Sequence, residues 1–193
     1  MECVEPIRDK TKIEAMKRYL KGKNLRDFLL FVFGINSGLR VSDLLQLQLT
    51  NVFDHKGKPK DRLELKEQKT GKLKEFPLSP TVRKALEEYI STTATINTTA
   101  EQEQWLFPSR KGAGPLDRRQ AWRIISEAAH AVGIPGRIGT HTLRKTFGYW
   151  AFKQGADITR IQKLLNHSSP GITLAYIGIT KDELDDVYLN LNL

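Results

Sequence analysis

Residues 140–176 read THTLRKTFGYWAFKQGADITRIQKLLNHSSPGITLAY, and this stretch predicts three consecutive short helices. Thr140 can cap the first helix, which Gly155 closes, and Asp157 is placed to start the second. Ser169-Pro170 opens the third, because a capping side chain followed by proline is typical of a helix start. The first two segments carry apolar residues at helical intervals, namely Leu143, Phe147, Trp150, Ile158, Ile161 and Leu165.

Helices are also predicted across most of the chain that precedes this stretch. Apolar residues at helical spacing indicate helices near residues 13–20, 25–33 and 42–47. Ser79-Pro80 opens a further helix, and a capping-box spacing that begins at Asp117 marks the start of another.

Residues 50–78 predict a small antiparallel sheet. Leu63 and Leu65 alternate with charged residues, as in a half-exposed strand, and a tight hairpin is expected near Thr70-Gly71. The predicted fold class is therefore α+β, mainly helical, with a small three-stranded antiparallel sheet. Because no break in composition marks a second domain, residues 1–193 are predicted to form a single domain.

The composition of the chain points to a polyanionic partner. Lys and Arg total 31 against 22 Asp and Glu, which gives a formal net charge of +9 and a pI of about 9.7. Basic side chains that neutralise phosphates release condensed counterions, so a surface of this charge favours nucleic acid. Because many basic proteins bind no nucleic acid, the charge alone leaves both possibilities open.

The cysteine content and the amino-terminal sequence predict a cytoplasmic protein. Cys3 is the only cysteine, so no internal disulfide can form and a reducing compartment fits best. Residues 1–6 carry acidic side chains where a signal peptide has basic ones. The longest apolar run, residues 28–35, is too short to cross a bilayer. No membrane partner is expected.

Side chains with chemical potential are concentrated in three short segments. His141 and Arg144 lie three residues apart and would project from one face of a helix. Taken alone, this pair is typical of an ordinary surface turn. Downstream, the segment LLNH at residues 164–167 ends the second predicted helix, and Tyr176 follows nine residues later. Upstream, the segment GLRVSD at residues 38–43 contributes a second arginine.

Together these segments resemble the catalytic domain of the tyrosine recombinases, the phage integrase family. The first motif of that family is typically Gly-Leu-Arg-x-Ser-Glu, and its second joins His-x-Leu-Arg to Leu-Gly-His and a tyrosine at similar spacing. The resemblance extends from about residue 10 to the end of the chain and implies the catalytic-domain fold of DNA breaking-rejoining enzymes. The chain departs from the family pattern at Asp43, Lys145 and Asn166, where glutamate, histidine and glycine are common.

The resemblance implies a site-specific recombinase or integrase, which is a DNA strand transferase. Tyr176 would attack the scissile phosphodiester, giving a 3′-phosphotyrosyl link and a free 5′-hydroxyl. The reverse step, with a different 5′-hydroxyl, would join the strand to a new partner. Because the covalent intermediate conserves the bond energy, neither ATP, nor a metal ion, nor another cofactor is required.

The resemblance also implies roles for five further residues. Arg40 and Arg144 would clamp the non-bridging phosphate oxygens, a role that suits guanidinium groups because they stay charged and offer paired donors. His141 would exchange a proton with the tyrosine, and His167 would hydrogen-bond the phosphate. Lys69, on the hairpin turn, would protonate the leaving 5′-oxygen.

Alternative explanations exist for several of these residues. Asp43 can orient the Arg40 guanidinium, but a purely internal salt bridge is the competing explanation for a buried arginine. Lys72 and Lys74 are rivals of Lys69, and a lysine on an exposed hairpin is commonly only solvated. Two histidines are also compatible with zinc, although the remaining candidate ligands occur at no zinc-like spacing.

The expected partners are double-stranded DNA and further copies of the protein. The resemblance implies a tetramer of paired dimers on two DNA sites, formed by a protein that is monomeric without DNA. The tail, residues 180–193, would dock on a neighbouring protomer. The amino-terminal core-binding domain of the family is expected to be absent, because little sequence precedes the first predicted helix. A DNA-binding module with lapsed catalysis and a type IB topoisomerase are the alternative functions.

Overall fold

The computed structural model describes residues 4–92, 104–110 and 112–180, together with residues 183, 185 and 189. Within these residues the chain forms nine helices and one two-stranded sheet, and none of the helices is long and apolar enough to cross a membrane. In chain order the elements are α1 (Lys10–Lys23), α2 (Leu25–Ser37), α3 (Val41–Leu45), α4 (Leu49–Val52), β1 (Arg62–Lys66), β2 (Leu73–Pro77), α5 (Pro80–Thr92), α6 (Arg118–Ala131), α7 (Thr140–Lys153), α8 (Ile158–Leu165) and α9 (Pro170–Ile177). The mainly helical fold predicted from the sequence is confirmed.

Capping side chains start the last helices close to where the sequence predicts them. Asp157 caps α8 and Ser169 caps α9, each by accepting a hydrogen bond from backbone N–H groups of the first turn. At α7 the prediction is one residue off, because Thr140 is already helical and Gly139 occupies the capping position. Local sequence therefore sets the starts of the helices that carry or precede the predicted site residues.

The predicted three-stranded sheet is wrong in one respect, because the described residues contain only two strands. Strands β1 and β2 pair antiparallel, beginning with Arg62 opposite Pro77. Residues 50–61, which the prediction included in the sheet, instead contribute to α4 and to a turn in which Asp54 accepts two backbone N–H groups. These hydrogen bonds fold the segment back on itself, so its backbone is not available as a third strand.

Helix α2 is the buried centre of the fold and positions the segments around it. The five consecutive residues 29–33 are each at most 1% exposed, as is typical of a helix that is apolar on all sides. Gly34 allows α7 to approach closely, since a Cβ at this position would lie 2.6 Å from Leu143 Cδ1. The loop after α2 and helix α7, which carry the two predicted arginines, are therefore held next to each other.

A second close approach, at Gly148, sets helix α9 against α7. A Cβ at Gly148 would lie 2.6 Å from Cγ2 of Ile177, a fully buried residue next to Tyr176 in the sequence. This contact between helices allows α9 to lie near the arginine on α7.

Replacing Gly148 with alanine is expected to lower the free energy of unfolding by about 1–3 kcal/mol, because the added methyl group would force α7 and α9 apart. Gly22→Ala is the matched control, since Gly22 lies in α1 with no neighbouring atom within 4 Å. Alanine should stabilise that position by roughly 0.5–1 kcal/mol. Urea unfolding measures both changes, and a Gly148→Ala variant as stable as the parent protein would contradict the close approach.

Candidate active site

Arg40 lies between α2 and α3, where two buried carboxylates hold its guanidinium. Its Nη1 is 3.0 Å from Glu67 Oε1 and 3.9 Å from Asp43 Oδ2. The Arg40 side chain remains 21% exposed, so this ion pair does not close it off from a ligand. Nη1 and Asp43 Oδ2 are both buried and form no well-aligned hydrogen bond with the described residues. Asp43 therefore stands where it can orient the guanidinium, as predicted.

Glu67, the nearer of the two carboxylates, directly follows strand β1. It is 3% exposed, and the hydroxyl of Thr70 donates a hydrogen bond to its Oε2 at 2.7 Å. Burial acts to raise the pKa of Glu67, but the Thr70 hydrogen bond and the neighbouring Arg40 guanidinium outweigh it and lower that pKa. Glu67 therefore stays ionised and holds Arg40 from the side of the hairpin.

Arg144 is almost fully buried on α7, and its guanidinium joins three segments of the chain. Nη1 donates to the carbonyl oxygen of Gly38 at 2.6 Å, and Nη2 donates to the carbonyl oxygen of Leu165. Burial, and then the positive charge of Arg40, lower the pKa of Arg144, although an arginine stays protonated in proteins. The two arginines are thus close enough for their charges to interact.

His167 lies on the turn that follows helix α8. Asn166 ends that helix in the left-handed conformation with φ 50°, and His167 is the next residue. Asparagine adopts this conformation more readily than most residues, so it can occupy a position where glycine is common. The ring Nδ1 of His167 lies 3.2 Å from Thr173 Oγ1. Burial, and then the charges of Arg144 and Arg40, lower the pKa of His167. A largely neutral imidazole therefore stands beside the two arginines at neutral pH.

Tyr176 lies on α9 with its ring against these groups. The centroid of the ring is 4.8 Å from that of His167, in an edge-on arrangement with an interplanar angle of 71°. The Nζ atom of Lys145, a residue only 4% exposed, is 5.2 Å from the centroid of the tyrosine ring. A cation near an aromatic face is attracted to it, so Lys145 helps to hold the ring in place.

His141 stands on the first turn of α7, one turn before Arg144. Arg118 Nη2 lies 3.2 Å from His141 Nε2, and because a guanidinium can only donate, this contact requires an unprotonated Nε2. Partial burial, and then the charges of Arg118, Lys145 and Arg144, lower the pKa of His141. A neutral imidazole of this kind is suited to accept a proton.

The hairpin brings Lys74, rather than Lys69, to these groups. Lys69 is exposed on the turn between β1 and β2, and it forms no hydrogen bond or ion pair with the residues that the structure describes. Lys74 is half-buried on β2, and its Nζ donates to the carbonyl oxygen of Leu164 at 3.0 Å. Burial, and then the charge of Arg144, lower the pKa of Lys74 to about 8.

The structure therefore brings together most of the residues predicted for the site. Arg40, Arg144, His167 and Tyr176 lie within electrostatic or ring contact of one another, and His141 joins them through the same helix as Arg144. Lys69 is the member left outside. Across the described ranges, no three His, Cys, Asp or Glu side chains come close enough together to hold a metal ion.

Glu67 and Arg118 belong to this group but were missed by the sequence analysis. Buried charges in proteins are usually paired or hydrogen-bonded, so a search for acidic residues beside the motifs was the signal that could have found Glu67. Arg118 lies on α6, 23 residues before His141, and no spacing rule in the sequence connects the two.

The fold and this group of side chains define the class of tyrosine recombinase catalytic domains. XerA recombinase has a TM-score of 0.77 over all of this chain and 67% of its own, at 21% identity. XerH site-specific recombinase, solved with palindromic difH substrate in a post-cleavage complex, has a TM-score of 0.72. That match covers 97% of this chain and 54% of XerH, at 17% identity.

The chain belongs to the phage integrase family, whose model matches residues 9–183. It is 43% identical over 188 residues to the probable integrase/recombinase YoeC of Bacillus subtilis strain 168, which covers 97% of each chain. It is 30% identical over 165 residues to tyrosine recombinase XerD of Listeria monocytogenes, covering 85% of this chain and 54% of XerD. The chain thus spans nearly all of YoeC and about half of XerD. The resemblance seen in the sequence is confirmed.

Proposed function

We propose that the protein is a site-specific DNA recombinase or integrase in which Tyr176 forms the covalent bond to DNA. The observation that carries the proposal is the place of the Tyr176 ring, 4.8 Å from that of His167 in a chain of the phage integrase family. Membership of this family, with integrase/recombinase relatives, confirms the function class predicted from the sequence, site-specific recombination.

Tyr176 attacks the scissile phosphorus, so that a bond from its phenol oxygen forms while the bond to the 5′-oxygen breaks. A phenol has a pKa of about 10, so its ionised form needs support from nearby positive charge. Lys145, with Nζ 5.2 Å from the ring centroid, supplies such a charge. The neutral imidazole of His141 accepts the phenol proton, and the product is a 3′-phosphotyrosyl link.

Arg40 and Arg144 bind the two non-bridging oxygens of the same phosphate. Negative charge grows on these oxygens in the pentacoordinate transition state, and donors that are already in place stabilise it most there. Carboxylates hold Arg40 and backbone carbonyls hold Arg144 before any DNA binds. His167 adds a hydrogen bond to the phosphate from the turn after α8.

Lys69 donates a proton to the leaving 5′-oxygen, and a second 5′-hydroxyl then reverses the step to join a new strand. Lys69 lies on an exposed turn, from which it can meet the DNA strand opposite the arginines. Because the phosphotyrosyl bond keeps the energy of the broken phosphodiester, the reaction needs neither ATP nor a metal ion.

Double-stranded DNA is the proposed substrate, and the active assembly is a tetramer of paired dimers on two DNA sites. XerH was solved with its difH substrate, and the net charge of +9 favours a DNA partner for this chain as well. The protein is expected to be monomeric without DNA. Docking of the tail, residues 180–193, concerns a segment that lies mainly outside the described residues. A single domain over residues 1–193 stays a prediction.

A pool of nicked duplexes of random sequence tests the proposal. When a nick lies close to the cleavage point, the short strand released with its 5′-hydroxyl diffuses away and the covalent adduct is trapped. Adducts that survive SDS are captured and sequenced, and enrichment of one sequence is expected. Retardation of DNA without any adduct would instead support a DNA-binding module. Relaxation of supercoiled DNA without sequence preference would support a type IB topoisomerase.

Adduct formation on the selected substrate is expected to proceed at the same rate in excess EDTA as in its absence, because the positive charges around the phosphate come from the protein itself. Quantification of the adduct on SDS gels over time measures the rate. Readdition of magnesium to the EDTA sample is the control for effects on DNA binding. A strict requirement for a divalent ion would contradict the mechanism.

A further inference from the structure

Lys74 connects the β1–β2 hairpin to the end of helix α8. It lies on β2 opposite Leu65, and its Nζ donates to the carbonyl oxygen of Leu164 at 3.0 Å. The last carbonyl groups of a helix have no partner within it, and a lysine that binds one also compensates the helix dipole. Arg144 takes the next carbonyl, that of Leu165. Cations from two different elements therefore hold the last turn of α8.

The turn held in this way leads directly to His167. Asn166 reverses the chain after α8, and the backbone N–H of His167 donates to the carbonyl oxygen of Gln162 at 3.0 Å. Without Lys74 this turn would keep the hydrogen bonds from Arg144 and to Gln162. The hairpin, rather than the α8 turn, is therefore the part expected to move when Lys74 is lost.

The hairpin is tied to its surroundings on both sides of the turn that carries Lys69. On the β1 side, the backbone N–H of Gln68 donates to Asp43 Oδ1 at 3.0 Å, which ties the hairpin to α3. On the β2 side, Lys74 supplies the tie to α8. The place of the Lys69 backbone relative to the phosphate-binding groups therefore depends on both connections.

The charges around Lys74 place it inside the site even though it belongs to the hairpin. Burial, and then the positive charge of Arg144, lower its pKa to about 8, and Arg40 acts in the same direction. The carboxylates of Glu67 and Asp43 act in the opposite direction. The hydrogen bond to α8 adds to these two carboxylates in holding the lysine against repulsion from the two arginines.

We propose that Lys74 is a positioning residue, which fixes the hairpin that carries Lys69 against the α8 turn that carries His167. The inference rests on the proposed function, since it concerns the cleavage step. As the bond from phosphorus to the 5′-oxygen breaks, that oxygen takes a proton from Lys69, so the ammonium has to lie close to it. A misplacement of about 1 Å in such a site can lower a rate by about 10²-fold.

Two nicked substrates, with oxygen or sulfur at the 5′-bridging position, separate this role from a general loss of structure. A thiol has a pKa of about 8.5, far below that of an alcohol, so sulfur leaves as a thiolate without a proton. Lys74→Met is expected to cleave the oxygen substrate about 10²-fold more slowly and the sulfur substrate at the parent rate. Lys69→Met should behave alike, and the double variant should be no slower than Lys69→Met, because the two residues act as a unit.

The matched control is Lys66→Met, which removes an exposed lysine from β1 and should change neither rate. Lys74→Arg keeps a cationic donor and should recover most of the rate on the oxygen substrate. Equal slowing of both substrates by Lys74→Met would overturn the proposal in favour of a purely structural role. If Lys74→Met slows cleavage of the oxygen substrate and Lys69→Met does not, the proposal is also overturned, because Lys74 would then be the proton donor.

Hydrogen exchange supplies a second measurement that needs no DNA. Backbone amides of the hairpin, residues 66–73, are expected to exchange about tenfold faster in Lys74→Met, as for the loss of one charge-assisted hydrogen bond. Lys66→Met should leave the exchange rates of residues 67–73 unchanged. Unaltered exchange in Lys74→Met would overturn the positioning role whether or not the parent protein forms an adduct. Failure of this inference is thereby distinguishable from failure of the proposed function.

Discussion

Replacing Tyr176 with phenylalanine is expected to abolish the covalent adduct with nicked DNA. The substitution removes one oxygen atom and keeps the ring that contacts His167 and Lys145, so the packing of α9 should be preserved. Loss of a covalent nucleophile lowers a rate by on the order of 10⁶-fold, because no other group can form the intermediate. Single-turnover adduct formation on SDS gels measures the loss, and DNA retardation should remain close to that of the parent protein.

Tyr149→Phe is the matched control for the loss of a phenol oxygen. The Tyr149 hydroxyl donates at 3.3 Å to Oε1 of Glu183, a residue outside the predicted site, and this variant should form the adduct normally. An adduct that persists in Tyr176→Phe but disappears in Tyr149→Phe would move the nucleophile to the other tyrosine and refute the assignment.

A mixture of Tyr176→Phe with Arg144→Ala tests which chain supplies the nucleophile. In the structure the tyrosine lies among the arginine and histidine side chains of its own chain. If the tyrosine attacks within its own protomer, no adduct is expected, because every subunit of the mixture lacks one of the two required groups, the tyrosine or the arginine. Recovery of the adduct would show that a neighbouring protomer supplies the tyrosine.

The chemistry-bearing motifs were recognised through their resemblance to the phage integrase family, and short-range rules explain only part of their geometry. Asp43 comes within ion-pair distance of Arg40 because it lies in the first turn of α3, three residues after Arg40, the residue that precedes the helix. Asn166 could be noted from sequence only as a departure from the glycine common in the family. The structure supplies the physical reason, a left-handed φ of 50° at the end of α8, which asparagine tolerates.

Contacts between distant segments could not be predicted in the same way. The position of Glu67 beside Arg40 and of Lys74 beside Leu164 depends on how the hairpin packs on the helices, which no local pattern encodes. The prediction of a third strand failed for a different, local reason. Residues 50–61 contain a turn, and the hydrogen bonds that Asp54 accepts within that turn prevail over strand pairing.

Arg144→Ala is expected to lower the rate of adduct formation by about 10²–10³-fold, because a donor aimed at the transition-state oxygens is lost. DNA affinity should fall far less, since one phosphate contact is a small share of all the contacts that position a protein on duplex DNA. The rate is measured in single-turnover reactions at saturating protein. The dissociation constant is measured at one fixed salt concentration, because phosphate contacts depend on salt.

Arg144 also holds the fold together, so its role in the reaction needs variants that separate the two effects. Its guanidinium binds the carbonyl groups of Gly38 and Leu165, and each buried acceptor left unpaired costs about 1–3 kcal/mol of stability. Arg40→Lys keeps a cation beside Glu67 but removes the planar fork, so it should slow cleavage while the protein stays folded.

Arg160→Ala completes the comparison, because it removes the same charge from the exposed surface of α8. If Arg144 acted only through general attraction to DNA, Arg144→Ala and Arg160→Ala would lower DNA affinity equally. The cleavage rate would then fall by no more than the affinity. If the two arginines clamp the scissile phosphate, the cleavage rate instead falls much more than DNA affinity in Arg144→Ala and Arg40→Lys, but not in Arg160→Ala. Equal losses of binding and cleavage in all three variants would therefore contradict the clamp.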